Sequence, residues 1–284
     1  VPMQIETTRA GARNALAHYR ATGQRIALIP TMGNLHAGHL SLVEYGRQHA
    51  ERVLVSIFVN PLQFAPNEDF DRYPRTLEAD CALLAELGTD LVFAPSTEEL
   101  YPYGRDHTTQ VQVPVLSDLL CGAARPGHFN GVSSLVARLF NLIQPDLAVF
   151  GKKDYQQWRL LERMTQELLM PIEIIGLPTH RDSDGLAMSS RNAYLTPAER
   201  QTAPQLYKSL QHMQQQVLAG ERDFAALTEQ CMNQLTQQGW RPDYIEIRRK
   251  VDLTPAQAND LTIDLVILAV AWLGKTRLID NLEL

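Results

Sequence analysis

The chain has 284 residues, 45% of them apolar and 20% charged, with a net charge of −6. That is an ordinary soluble globular composition, long enough for two domains, and its lysines and arginines are too scattered for the clustered footprint of a nucleic-acid binder. Cys81, Cys121 and Cys231 lie far apart without metal-ligand spacing, which fits a reduced compartment and excludes a disulfide framework.

At the N-terminus no basic segment leads into an apolar one, so no secretory signal is expected and the cytoplasm is the expected location. The first strongly apolar run, Arg25–Ile29, predicts a strand. It leads through Pro30-Thr31-Met32-Gly33-Asn34-Leu35-His36-Ala37-Gly38-His39 into a helix from His39 to about Ala50. Then come a strand over Val53–Val59, a helix over Thr76–Leu87, a strand at Asp90–Phe93 and a helix over about Val132–Ile143 stopped by Pro145. A strand at Leu147–Phe150, a helix capped by Asp154 and running to about Leu169, and a strand at Ile172–Ile175 follow. Alternating strands and helices with continuously apolar strands predict a parallel sheet covered by helices on both faces, an α/β, Rossmann-like fold. Ligands bind such sheets beyond the carboxyl ends of the strands.

From about residue 178 the pattern changes. Thr196-Pro197-Ala198-Glu199 is a capping box with proline at the first helical position, and a second helix is predicted over about Asp223–Gln237. Strand-like runs follow at Tyr244–Arg248, Ile263–Trp272 and Thr276–Ile279, the last two joined at Gly274-Lys275. They predict a smaller α+β domain with an antiparallel sheet. The expected division is therefore residues 1–177 and 178–284. Leu261–Leu273, the most apolar late segment, contains Asp264 and is too short to span a bilayer, so no membrane partner is expected.

Donor-rich clusters fall where this sheet ends its strands. The turn Met32–His39 aims two imidazoles and the unpaired amides of a helix N-terminus at one spot, a ready anion site. Read alone, the pair is two surface histidines on a loop. Asn60-Pro61-Leu62-Gln63-Phe64 follows the second strand. Its neutral amides suit hydroxyls and carboxylates, although Asn-Pro also simply opens a turn. Gly151-Lys152-Lys153-Asp154-Tyr155-Gln156-Gln157 offers close backbone approach, a lysine for phosphate and an aspartate for helix capping or ribose hydroxyls. Its plain alternative is a capped helix with solvated lysines. Arg181–Asn192 carries Ser189, Ser190 and Arg191 as a pyrophosphate clamp, or serves as an interdomain linker. Arg125-Pro126-Gly127-His128-Phe129-Asn130-Gly131 reads as a glycine-bracketed loop with a scaffold or subunit-interface role.

The segments PTMGNLHAGH (30–39), SIFVNPLQF (56–64), FGKKDYQQ (150–157), RDSDGLAMSSRN (181–192) and RLIDN (277–281), with YPRTLEAD (73–80) and RPGHFNGV (125–132), together resemble the pantoate–β-alanine ligase family. This family is a branch of the nucleotidylyltransferase-like group related to class I aminoacyl-tRNA synthetases. The resemblance implies a Rossmann-like domain binding ATP and pantoate, a C-terminal α+β lid domain and a homodimer. It also implies an ATP- and Mg²⁺-dependent condensation of (R)-pantoate with β-alanine through a pantoyl adenylate, giving pantothenate, AMP and pyrophosphate.

By the same resemblance Met32, Gly33, Asn34, Leu35, His36, Ala37, Gly38 and His39 line the ATP site, and His39 matches the position assigned as catalytic acid. Gly151, Lys152, Lys153 and Asp154 form the nucleotide loop. His180 contributes through its backbone, and Met188, Ser189, Ser190 and Arg191 form the phosphate loop. His36, His39, Lys153 and Arg191 are the expected catalytic set. Gln63, Gln157 and Asn60 are the pantoate contacts, with Gln63 also toward β-alanine, and no protein metal ligand is expected. Lys152 and His180 depart from the family's usual acidic and small residues. Two other readings are an adenylyltransferase with a phosphate acceptor, disfavoured by the neutral Gln63 and Gln157, and a non-catalytic or RNA-binding relative of the synthetases, disfavoured by the negative charge.

Overall fold

The computed structural model describes residues 2–284, which divide into two compact units. The first runs up to Lys152 and resumes over Leu160–Pro178, and the second comprises Lys153–Arg159 and Thr179–Leu284. The short stretch 153–159 thus groups with the later residues, a connection that composition along the chain does not reveal.

The first unit holds β1 (Gln4–Glu6), α1 (Arg9–Ala21), β2 (Ile26–Thr31), α2 (Ala37–His49), β3 (Arg52–Ile57), α3 (Leu77–Glu86), β4 (Leu91–Phe93), α4 (Thr97–Leu100), α5 (Cys121–Ala124), α6 (His128–Ile143), β5 (Leu147–Gly151) and β6 (Glu173–Leu177). Helix α7 (Tyr155–Glu167) lies between β5 and β6 in sequence. All strands pair in parallel, in the order β1-β4-β3-β2-β5-β6. Ile26, Ala27, Leu28 and Ile29 are all fully buried, so both faces of β2 are covered, as its unbroken apolar run predicts. On one face Ala27, Ile29, Val53, Val55, Val92 and Val149 pack with Leu42 and Val43 of α2 and Leu84 of α3.

Several features of this unit lie outside the sequence-based expectation, the short helices α4 and α5 among them. β1 and α1 precede the first predicted strand. β1 is a three-residue edge strand with no alternation to read, but α1 has a Thr8 cap and buries Ala12, Leu16 and Tyr19 at helical spacing. Helix α6 begins at His128, inside the glycine-bracketed segment read as a loop. Gly127 supplies the left-handed turn (φ 82°) that starts it. Gly131 lies within the helix, and glycine is needed there because a Cβ would stand 2.4 Å from the Leu62 carbonyl oxygen.

The second unit contains α8 (Pro197–Thr202), α9 (Gln205–Leu218), α10 (Phe224–Gln237), β7 (Arg241–Arg249), β8 (Leu265–Leu273) and β9 (Thr276–Glu283). The antiparallel sheet β7-β8-β9 matches expectation, with Gly274 (φ 60°) and Lys275 forming the tight turn between β8 and β9. Its apolar face, including Ile245, Ile247, Ile267, Ala269 and Ala271, packs on Leu206, Leu210 and Met213 of α9 and Leu227, Cys231 and Leu235 of α10. The Thr196/Glu199 capping box forms as the sequence indicates. Among the described residues no helix is long and apolar enough to cross a membrane.

Helix α2 approaches the sheet at Gly46, where a Cβ would meet Ala27 Cβ at 3.2 Å and Ile29 Cδ1 at 3.3 Å. Gly46→Val should therefore overpack this seam and cost about 1–3 kcal/mol, read as a lower urea midpoint with an unchanged m-value.

Candidate active site

Strands β3, β2 and β5 are neighbours in the sheet, and their carboxyl ends carry three of the donor-rich segments. The order places sequence-consecutive β2 and β3 side by side, with β5 returning on the other side of β2, and such reversals are where open parallel sheets bind ligands.

The turn after β2 must pass from a buried strand to a helix N-terminus within five residues. It does so with two consecutive left-handed residues, Gly33 (φ 78°) and Asn34 (φ 51°). Asp80 of α3, 2% exposed, holds this shape. Its Oδ2 accepts from the Asn34 amide and its Oδ1 from the Leu35 amide, both at 2.9 Å, and Thr76 Oγ1 donates to Oδ2 at 3.2 Å. Gly33 packs directly on this carboxylate, since a Cβ there would lie 3.0 Å from Oδ2. Thr31 braces the other side, donating to the Ser56 carbonyl at 2.8 Å and accepting from the Gly33 amide at 3.2 Å. The amides of Asn34 and Leu35 therefore point inward to Asp80, so their expected place in an ATP site is that of shaping the turn. Asp80 was not among the residues singled out from the sequence. The cue was there: an acid at the end of YPRTLEAD, in the first turn of a helix whose other inward residues are apolar.

His36 and His39 form a reciprocal cap on α2. Nδ1 of His36 accepts from the Gly38 amide at 3.1 Å, and Nδ1 of His39 accepts from the His36 amide at 3.2 Å. A ring nitrogen that accepts carries no proton, so this pattern of contacts leaves the proton of each neutral ring on Nε2. The rings lie 4.1 Å apart between centroids. The pair thus lies, with both rings fixed through Nδ1, at the positive end of a helix dipole.

After β3, Asn60 is completely buried. Its Oδ1 accepts from the Leu62 amide and from the Tyr101 hydroxyl, and its Nδ2 donates to Gln63 Oε1 and to the Gly131 carbonyl, both at 3.0 Å. Burial pushes the Tyr101 hydroxyl well above the ordinary phenol range, so it stays a donor. Four partners use the whole capacity of an asparagine side chain. Asn60 therefore holds Gln63 in place, which differs from the ligand contact expected of it. With its oxygen pinned, Gln63 turns its amide nitrogen toward Met32 Sδ at 3.4 Å. A thioether is a weak acceptor that a carboxylate or hydroxyl readily displaces. His128 Nδ1 lies 2.8 Å from the Gln63 carbonyl oxygen, and Arg125 pairs with Glu68. The scaffold role expected of Arg125–Gly131 is thus what these contacts describe.

In the second unit, Asp154 is exposed while Lys153 and Gln157 are half-buried. Asn281 Nδ2 donates to the Lys153 carbonyl at 2.9 Å. The segment 181–192 is folded on itself. Arg181 bridges to Ala187, the Asp182 amide donates to the Leu186 carbonyl at 2.8 Å, and Met188 donates to the carbonyl of the exposed His180 at 2.9 Å. Arg200 holds Asp182 and Asp184. Ser189 caps a short 3₁₀ turn, accepting from the Arg191 amide at 3.2 Å. These contacts give the segment more internal order than its polar composition suggests. No group of three or more His, Cys, Asp or Glu that could hold a metal occurs among the described residues.

Asp80→Ala would leave two buried amides unsatisfied at about 1–3 kcal/mol each, so we expect a lower unfolding midpoint and weakened nucleotide binding by calorimetry. Asp80→Asn, which keeps one acceptor, should fall between.

Sequence comparison matches the family described as pantoate-beta-alanine ligase over residues 4–283. The pantothenate synthetase of Pseudomonas putida is 57% identical over 280 residues, covering 99% of this chain and 96% of that protein. That of Azotobacter vinelandii is 56% identical over 271 residues, covering 95% of each. Among solved structures, the pantothenate synthetase of Thermus thermophilus superposes with a TM-score of 0.91 at 45% identity, covering 99% of both chains. The pantoate-beta-alanine ligase of Francisella tularensis, complexed with beta-gamma ATP and beta-alanine, gives 0.82 at 32% identity, covering 99% of this chain and 97% of that one. The chain belongs to the pantoate–β-alanine ligase family.

Proposed function

We propose that this protein condenses (R)-pantoate with β-alanine, using ATP, to give pantothenate, AMP and pyrophosphate. The observation that carries the reading is the pair of imidazoles fixed at the N-terminus of α2, together with the oriented amide of Gln63 in the loop after the neighbouring strand.

A carboxylate attacking a polyphosphate brings anion against anion. In the first step an oxygen of the pantoate carboxylate bonds to the α-phosphorus, the bond from that phosphorus to the bridging oxygen breaks, and pyrophosphate leaves with the electron pair. In the second, the β-alanine amine bonds to the acyl carbon, AMP leaves with the acyl oxygen, and the amine loses a proton. Both reacting groups belong to substrates, so the protein's part is positioning and charge stabilisation.

His36 and His39 serve as hydrogen-bond donors to phosphate oxygens. A neutral ring already accepting at Nδ1 supplies a donor to the α-phosphate without a permanent charge. Lys153 and the Ser189-Ser190-Arg191 segment are assigned to the phosphates, Gly151 to Asp154 to the nucleotide and His180 to its base-side contact through backbone. A Cβ at Gly151 would meet no protein atom within 4 Å; packing does not demand glycine there, whereas close approach of a nucleotide would. Gln63 and Gln157 bind pantoate, Gln63 also faces β-alanine, and Asn60 stands behind Gln63. Mg²⁺ enters with ATP, held by phosphate oxygens and water, since this ion dehydrates reluctantly and both Asp80 oxygens are engaged by the turn. A cytoplasmic homodimer completes the proposal.

Pyrophosphate release that requires pantoate, followed by AMP release on adding β-alanine, tests it directly. AMP retained in the product would instead identify an adenylyltransferase. Removing one preorganised donor costs about 10²–10³ in kcat, so His39→Ala should lose pantoate-dependent pyrophosphate release on that scale while remaining folded. Near-normal turnover would overturn the role given to His39.

A further inference from the structure

Strand β9 carries Asp280 and Asn281, adjacent residues that are both almost fully buried. Successive strand side chains point to opposite faces, so one strand reaches two different segments at this point. Asp280 receives Nη1 and Nη2 of Arg181 at 2.7 and 2.8 Å, and that guanidinium stacks 3.6 Å over the Tyr207 ring. Arg181 roots the segment ending in Ser189-Ser190-Arg191, since it also donates to the Gly185 carbonyl at 3.1 Å and bridges to Ala187. On the other face Asn281 reaches back 128 residues to donate to the main-chain carbonyl of Lys153.

That carbonyl lies within the 3₁₀ turn Lys152–Asp154, which joins β5 to α7. Pinning it fixes the plane of the peptide after Lys153, and hence the direction in which the lysine side chain leaves the backbone. The hydrogen-bond geometry of a 3₁₀ turn is poorer than that of an α-helix, so an external donor contributes directly to holding its orientation. The bidentate pair on Asp280 in turn keeps β9 in place beneath it, because Asp280 and Asn281 are paired to Ala269 and Leu268 of the buried central strand β8.

We propose that Asn281 is a positioning residue for Lys153, held in register by the Asp280–Arg181 pair, so that a single strand aligns the lysine and the root of the Ser-Ser-Arg segment. The proposal rests on the reading of Lys153 as a phosphate-binding group.

The test is a double-mutant cycle on Asn281→Ala and Lys153→Ala, with pantoate-dependent pyrophosphate release resolved into kcat and KM for ATP and with thermal unfolding measured alongside. Misplacing a reacting group by about 1 Å costs roughly 10²-fold. Asn281→Ala is therefore expected to lose kcat by about that factor, with thermal unfolding near that of the parent protein. The double variant should be no slower than Lys153→Ala alone, since two residues acting through one group do not add. Losses that multiply in the double variant, or a full rate in Asn281→Ala beside an inactive Lys153→Ala, would overturn the positioning role. A full rate in Lys153→Ala would instead overturn the phosphate reading on which it rests. Should Asn281→Ala not fold, Asn281→Ser, whose hydroxyl is too short to reach the carbonyl, runs through the same cycle with the same expectations.

Discussion

The carboxylate of Asp80, buried beneath the turn after β2, is the contact on which the rest of the proposed ATP site depends. A chain that leaves a fully buried strand and starts a helix within five residues must bend through left-handed conformations, and it must find partners for amides that neither element satisfies. Asp80 takes two of those amides at once, Gly33 clears the space for its oxygen, and Thr31 ties the same turn to β3. A carboxylate placed under a turn proposed to hold phosphate opposes that ligand electrostatically. It is tolerated because both of its oxygens are already neutralised by local dipoles, which is how a buried carboxylate avoids an unpaired charge.

From that turn follows the cap. Once His36 sits at the N-cap of α2, each histidine spends its Nδ1 on the backbone, so the contacts that stabilise the helix end also fix how the two rings are turned. Structure and proposed chemistry are therefore not separable here: changing either ring alters both the helix end and the phosphate contact. Gln63 follows the same logic in the neighbouring loop. Its orientation comes from Asn60, whose own position depends on Tyr101 and on the close approach of α6 at Gly131. In the second unit the supporting role passes to Asp280 and Asn281, which brace Arg181 and Lys153 from one strand.

A common pattern links these supports. Three of the groups proposed to meet a substrate are held by a buried polar residue: the first turn by Asp80 of α3, Gln63 by Asn60 of its own loop, and Lys153 by Asn281 of β9. Buried polar groups demand full hydrogen bonding, and that demand makes them effective clamps. It also means that the supporting residues are as sensitive to substitution as the groups they hold.

The sequence by itself determined the class of the fold and the addresses of the proposed site. The continuous apolar run at Ile26–Ile29, the capping box at Thr196–Glu199 and the Gly274-Lys275 turn are local signals, readable because helix caps, turns and strand burial depend on neighbours in sequence. The motifs after β2, β3 and β5 were legible for the same reason, as donors clustered where strands end. Only the tertiary structure decided which polar residues are spent on one another. Asn60 reads like a contact and is a support; Asp80 and Asn281 carry no local signal of their role and are supports; Gly131 reads like a loop but lies in a helix, and is glycine because another backbone passes within reach of its missing Cβ. The same holds for 153–159, which lie between β5 and β6 in sequence yet pack with the later residues. For Asp80, Asn281 and Gly131 the deciding partner is dozens of residues away or more, and Asn60 is itself fixed by Tyr101 and Gly131; no pattern in the local sequence encodes how close such partners will come.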